Sequence, residues 1–243
     1  MGVFHFKRFD VVNERSAMKV NTDGVLLGAS MSIRPADRKF LDVGTGTGTI
    51  ALMAAQRADA FGQDFRVQAI DIDKVSVEEA YANFSNSLWA DHLSALECSL
   101  EDFSSALAEG ESFDLIFSNP PYFEDSLLAP EQRRSNARHT STGLSYRELL
   151  EFASERLSPD GRISMVLPAE QEMPLCRHAR MCGLHLFRIV RVKTVPRKNP
   201  VRIIAEFGRV RCPEAEEVLL TIQNEGKYTE EYLSLTHDFY LFA

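Results

Sequence analysis

Residues 41–48 read Leu-Asp-Val-Gly-Thr-Gly-Thr-Gly and join a strand-like apolar run, residues 39–43, to a helical pattern over residues 48–58. Glycine at every second position leaves the turn open to left-handed torsions and to close approach by other groups. A chain that leaves a strand through such a turn and enters a helix at once is beginning a βαβ unit, and the remaining sequence repeats that unit. Residues 66–70 read as a second strand. Residues 74–87 read as a helix with apolar positions at Val75, Val77, Ala80, Tyr81 and Phe84. Residues 94–98 form a weak third strand and residues 113–118 a fourth. Residues 146–157 read as a helix closed by the turn Ser158-Pro159-Asp160-Gly161, residues 162–167 as a fifth strand, and residues 171–181 as a helix ending at Gly183. Residues 184–192 and 201–210 read as an antiparallel pair. The expectation is an α/β fold: a mostly parallel sheet with a C-terminal antiparallel hairpin. It occupies a single domain, 1–243, in which 1–17 and 213–243 are appendages.

Bulk properties agree with a soluble globular class. The chain has 243 residues, 44% hydrophobic and 26% charged, a length that suits one such domain. No apolar run approaches the roughly 20 residues that cross a bilayer. Residues 1–8 lack the apolar stretch of a secretion signal. Cys98, Cys176, Cys182 and Cys212 are scattered without a CxxC pair, which favours free thiols in a reducing cytoplasm over a zinc site. The net charge of −8 argues against a general nucleic-acid footprint, so any such role must rest on local clusters of positive charge.

The glycine turn by itself suits a dinucleotide as well as other nucleoside ligands. Two details favour S-adenosylmethionine. Asp42 stands just before the first glycine, where a carboxylate can hold the methionine amino group directly or through water; a pyrophosphate gains nothing from that charge. The spacing Gly44, Gly46, Gly48 also departs from GxGxxG. Asp71 falls at the end of the second strand, where it can accept from both ribose hydroxyls, and Ile72 beside it can pack on an adenine face. Asp73 reads as the N-cap of the next helix. Asp102, after the third strand, reads as a helix N-cap. Before the first strand, Thr22 or Asp23 reads as the N-cap of a helix packed through Val25, Leu26 and Leu27.

Asn119-Pro120-Pro121-Tyr122 follows the fourth strand. Read blandly, it is a strand stop. Read chemically, it suits a planar nitrogen whose lone pair is delocalised. The Asn119 side-chain carbonyl and the Pro120 backbone carbonyl can accept its two hydrogens, the prolines stiffen the loop, and Tyr122 offers a face for stacking. The tetrapeptide resembles the catalytic loop of amino-methyltransferases. The order of four elements, residues 19–28, residues 41–48, Ser118-Asn-Pro-Pro-Tyr-Phe123, and Arg133-Arg134 leading to Ala137-Arg138-His139, closely resembles the bacterial tRNA adenine-N6 methyltransferases that act on valine tRNA beside the anticodon.

The resemblance implies a Rossmann-like class I methyltransferase fold over about residues 18–212, and Asn119, Pro120, Pro121 and Tyr122 as catalytic residues. It also implies S-adenosylmethionine as cofactor, with S-adenosylhomocysteine as product, no metal, and a tRNA adenosine as substrate. It further implies that Thr22 and Asp23 both contact the methionine end, and that Asp102 is an acceptor for the adenine amino group instead of a cap. Phe6 or Phe123 would stack on the base from another side. Arg133, Arg134, Arg138 and His139 suit phosphate oxygens. A second basic set, Arg188, Arg191, Lys193, Arg197, Lys198 and Arg202, includes a loop over 193–202 that resembles the family's segment at the open edge of the site. The expectation is one positive rim around Tyr122, in a cytoplasmic monomer with no obligate protein partner. The rival readings are a glutamine methyltransferase acting on release factors, for which only about 38 residues precede the first strand, a ribosomal RNA guanine-N2 methyltransferase, and a binding protein without catalysis.

Overall fold

The computed structural model describes residues 2–16, 19–121 and 144–243. The elements are β1 (Val3–His5), β2 (Asp10–Val12), α1 (Thr22–Ser30), β3 (Lys39–Val43), α2 (Thr49–Asp59), β4 (Arg66–Asp71), α3 (Lys74–Ser85), β5 (Leu93–Glu97), α4 (Leu100–Ala106), β6 (Phe113–Ser118), α5 (Tyr146–Arg156), β7 (Leu157–Pro168), α6 (Glu172–Met181), β8 (His185–Lys193), β9 (Arg202–Gly208), β10 (Glu216–Thr221), β11 (Gln223–Asn224), β12 (Lys227–Tyr228) and α7 (Glu230–Thr236). Eight strands form one sheet in the order β10-β8-β9-β7-β6-β3-β4-β5. Among them only β9 runs against its neighbours, and the other seven are parallel.

Alternation along the strands sorts the core into two layers. Phe40, Leu115, Phe117, Val166, Val190 and Ile204 face α1, α2 and α7. Leu41, Ile116, Ile163, Met165, Ile189 and Ile203 face α4, α5 and α6. Strands covered on both faces read as near-continuous apolar runs, which is why they are visible in the sequence.

Several expectations change in detail. The turn Ser158–Gly161 does not separate α5 from the fifth strand. It loops out of β7, whose pairing with β6 slips from Phe113↔Leu157 to Leu115↔Arg162. Residues 213–243 do more than append to the domain. Glu216–Thr221 joins the sheet beside β8, and the tail returns so that Tyr240 pairs with Phe6 of the N-terminal segment. Phe6 is buried among Phe4, Phe9 and Tyr240, so it is not available to stack on a substrate base.

Helix α3 departs furthest from its pattern. Tyr81 is 64% exposed, while the polar residues Ser76, Glu79 and Asn83 are buried. These three stand at i, i+3 and i+7 and share one face of the helix. That face meets the N-terminal segment rather than the sheet. Asp73 caps α3 as expected, accepting from the amides of Val75 and Ser76.

Candidate active site

The carboxyl ends of β3, β4 and β6 meet at the glycine turn. Gly44, Gly46 and Gly48 all take positive φ, at 73°, 56° and 78°. At Gly48 the constraint is also spatial, because a Cβ there would lie 2.4 Å from the Phe84 ring. The turn hangs from β4: the amides of Gly44 and Thr45 both donate to the Ile70 carbonyl, at 2.9 and 3.1 Å. The Ser118 hydroxyl donates to the Val43 carbonyl at 2.7 Å and ties the end of β6 to the end of β3.

Two spaces open on this turn. The larger, about 330 Å³, is lined by Asp71, Ile72, Ser76, Cys98, Glu101 and Leu144 together with Gly44, Gly46, Asn119 and Pro121. That volume falls within the range of roughly 300–1,000 Å³ common to small-molecule sites. The smaller, about 30 Å³, is lined by Lys19, Val20, Asn21, Thr45, Thr47 and Ile50, again with Gly44 and Asn119. Among the described residues, Gly44 and Asn119 are common to both spaces.

Asp71 is held ready rather than loose. Its Oδ2 accepts from the Gly46 amide and its Oδ1 from the Asp73 amide, both at 2.9 Å. Each oxygen keeps a further lone pair, and the side chain borders the larger space. Ile72 is 62% exposed there, an apolar side chain presented to the opening.

Asp42 is fully buried beneath the turn. Its Oδ2 accepts from the Thr45 hydroxyl at 2.7 Å, and its Oδ1 has no side-chain donor among the described residues. Burial pushes its carboxyl up to about 7; the Thr45 hydroxyl opposes the rise, the Asp71 charge adds to it, and the Ala51 amide in the first turn of α2 opposes it. Asp42 lines neither space; it is a buried carboxyl beneath the turn, and its charge disfavours a phosphate above it.

Three expected positions shift by a residue or more. Asn21, not Thr22 or Asp23, caps α1, its side chain accepting from the Gly24 amide at 2.9 Å. Asn21 lines the smaller space, and neither Thr22 nor Asp23 lines either one. Asp23 instead pairs with Arg202 at 2.8 Å. At α4 the cap is Ser99. Its hydroxyl accepts from the Asp102 amide and donates to the Asp102 carboxylate at 2.7 Å, so Asp102 turns back on its own helix while Glu101 lines the larger space. The pattern Ser-x-x-Asp carries this signal, since a serine at that place is a favoured N-cap. Glu148, which also lines the larger space, closes a capping box with Ser145.

The second basic set divides. Arg188 pairs with Glu206 and Glu216, Arg191 with Glu172 and Glu217, and Arg202 with Asp23. Lys193, Arg197 and Lys198 make no ion pair among the described residues, and Arg197 and Lys198 are exposed. Because β8 runs parallel to β6, Lys193 ends at the same end of the sheet as Asn119, three strands across. Tyr122, Phe123, Arg133, Arg134, Arg138 and His139 lie outside the described residues.

Comparison with known proteins meets this geometry. The methyltransferase small domain model matches residues 15–182. The tRNA1(Val) (adenine(37)-N6)-methyltransferase of Parabacteroides distasonis is 42% identical over 239 residues, covering 98% of this chain and 97% of its own. The protein of the same name from Haemophilus influenzae is 35% identical over 241 residues, covering 99% of each. Among solved structures, a predicted O-methyltransferase from Agrobacterium tumefaciens aligns with a TM-score of 0.61 at 17% identity, over 89% of this chain and 96% of that one. A precorrin-6y C5,15-methyltransferase from Geobacter metallireducens aligns at 0.54 and 13%, over 82% and 94%. The fold is that of the class I methyltransferases, and with a glycine turn, a strand-end carboxylate and Asn119 bordering one cleft, the chain belongs to the tRNA1(Val) (adenine(37)-N6)-methyltransferase family.

Proposed function

We propose that this protein transfers a methyl group from S-adenosylmethionine to the N6 amine of an adenosine in tRNA, adenosine 37 of valine tRNA. The observation that carries this reading is the position of Asn119, at the junction of the two spaces that meet at Gly44. The larger space suits the adenosyl part. Asp71 accepts from the ribose hydroxyls, Ile72 packs on the adenine, and Glu101 accepts from the adenine amino group. The methionine part is assigned to the side of the smaller space, reached past Gly44 and Asn119, with the buried Asp42 beneath the turn. When bound, S-adenosylmethionine supplies an electrophilic methyl group on a sulfonium.

The residues of the chain do the positioning. The Asn119 side-chain carbonyl and the Pro120 carbonyl accept the two N6 hydrogens and draw the lone pair out of conjugation, in line with the methyl group. Pro121 keeps the loop stiff, and Tyr122 stacks on the base once the nucleotide has left its helix or loop. The proton leaves to water after transfer, so no general base is needed. Lys193, Arg197 and Lys198, together with Arg133, Arg134, Arg138 and His139, hold phosphates of the RNA. The protein acts as a monomer in the cytoplasm, on tRNA.

One measurement tests the reading. Digested tRNA from cells lacking the gene is expected to lose one N6-methyladenosine by mass spectrometry, restored by the intact gene and not by an Asn119→Ala version. An unchanged nucleoside profile in the deletion strain overturns the assignment.

A further inference from the structure

The buried polar face of α3 packs against residues 12–16, and residues 19–21 border the site. Asn83 accepts from the Val12 amide at 2.8 Å, and donates to the Val12 carbonyl at 3.1 Å and to the Thr47 carbonyl of the glycine turn at 2.9 Å. Glu79 accepts from three successive amides: Glu14 at 2.8 Å and Arg15 at 2.9 Å on Oε1, and Ser16 at 3.0 Å on Oε2. Beside it the hydroxyls of Ser16 and Ser76 meet at 2.8 Å. The next described residues fold back on this anchor. Lys19 donates to the Asn13 and Glu14 carbonyls, and the Val20 amide donates to the Asn13 side chain at 3.2 Å. Lys19, Val20 and Asn21 then line the smaller space.

Glu79 is 3% exposed and has no ion-pair partner among the described residues. A buried carboxylate is a costly way to fasten a helix, and it persists where its acceptors are filled. Here they are filled by a stretch that belongs to neither the sheet nor a helix and has no ladder of its own for those amides. We infer that Glu79 is a positioning residue for the cofactor. It fixes the backbone of residues 14–16 so that Lys19, Val20 and Asn21 stand against the glycine turn before the ligand arrives. Ordering done in the free protein is not charged against binding, so the contact raises affinity without touching the ligand. This rests on the assignment of the smaller space to the methionine end of S-adenosylmethionine.

Glu79→Gln tests it, because the side chain keeps its size while an amide NH₂ is set against one of the donating backbone groups. Isothermal titration with S-adenosylhomocysteine is expected to show a Kd raised about tenfold, which is about 1.4 kcal/mol. The KM for S-adenosylmethionine rises in step, while kcat at saturation and the KM for tRNA stay within about twofold. Glu78→Gln, on the neighbouring carboxylate that pairs with Arg15 at the surface, is the control and keeps the parental Kd. In the unsubstituted protein, hydrogen exchange at the amides of residues 14–16 slows when S-adenosylhomocysteine binds, since coupling is reciprocal.

The outcomes separate. An unsubstituted protein that does not bind S-adenosylhomocysteine overturns the cofactor assignment. Normal binding by the parent with an unchanged Kd in Glu79→Gln overturns the role of Glu79 alone. So does a loss shared equally by kcat and both KM values together with a lowered Tm, which marks a general structural role. If the variant does not fold, the exchange measurement on the parent decides, and no added protection at residues 14–16 overturns the inference.

Discussion

The proposed contact of the cofactor's ammonium with Asp42 would couple binding to pH. Its carboxyl is raised from 3.8 to about 7, chiefly by burial, which corresponds to a penalty on the order of 4 kcal/mol on the charged form in the empty site. The sign is that of a raised acid. In the free protein the protonated carboxyl is favoured, so its contribution to stability is fully present below about pH 3.8 and is lost as pH rises through about 7. An ammonium placed against Oδ1 reverses the balance and returns the carboxyl toward its ordinary range. Binding at pH 6 must then expel a proton that the free carboxyl holds about nine-tenths of the time, and affinity falls roughly tenfold between pH 8 and pH 6. Titration with S-adenosylhomocysteine at both pH values reads the affinity. Repeating it at pH 6 in two buffers of different ionisation enthalpy reads the proton, and close to one is expected to leave. Asp42→Asn binds more weakly at pH 8 and shows neither effect. A Kd constant within twofold from pH 6 to 8, or the same slope in Asp42→Asn, would refute the reasoning.

Other perturbations separate the parts of the site. Asn119→Ala is expected to lower kcat by about 10²–10³ while titration still shows S-adenosylhomocysteine bound; near-normal turnover rules out its role at the amine. Gly48→Ala combines a left-handed torsion with a Cβ set 2.4 Å from Phe84. It is expected to cost about 3 kcal/mol and to lower Tm by roughly 6–12 °C, checked by calorimetry. Replacing Lys193, Arg197 and Lys198 together with Ala is expected to weaken tRNA binding and flatten its salt dependence by about 0.7–0.9 for each phosphate no longer neutralised. An unchanged salt slope in a filter-binding series would remove the 193–202 loop from the RNA surface.

The parts of this molecule that are legible in its sequence are those whose reasons are local. Gly44, Gly46 and Gly48 are legible because positive φ limits the choice of residue. Asp71 is legible because a strand end fixes where its side chain starts, and Asp73 because capping is decided within one turn. Illegible features depend on partners far away in the chain. Arg188, Arg191 and Arg202 look like one cationic cluster with Lys193, Arg197 and Lys198, yet Glu206, Glu172 and Asp23 neutralise them across distances that sequence spacing does not show. The apolar residues of helix α3 suggest a face that exposed Tyr81 contradicts. The rule that buried means apolar fails where the facing surface is bare backbone, and Ser76, Glu79 and Asn83 meet such a surface. The strand Glu216–Thr221 escapes a sequence reading because its first two residues are carboxylates. Their charges are matched by Arg188 and Arg191 on the neighbouring strand, a pairing visible only after folding.

That last strand has a consequence for how the molecule behaves in company. Without β10, the outer side of β8 would offer a nine-residue row of backbone donors and acceptors, His185–Lys193, to any extended chain nearby. With it, the sheet ends on a six-residue strand whose first residues are Glu216 and Glu217. A second polypeptide adding there would have to bring its backbone against two carboxylates. The C-terminal segment thus terminates the sheet as well as enlarging it, and a chain stopped before Glu216 would lose its guard against self-association even with every residue of the cleft intact.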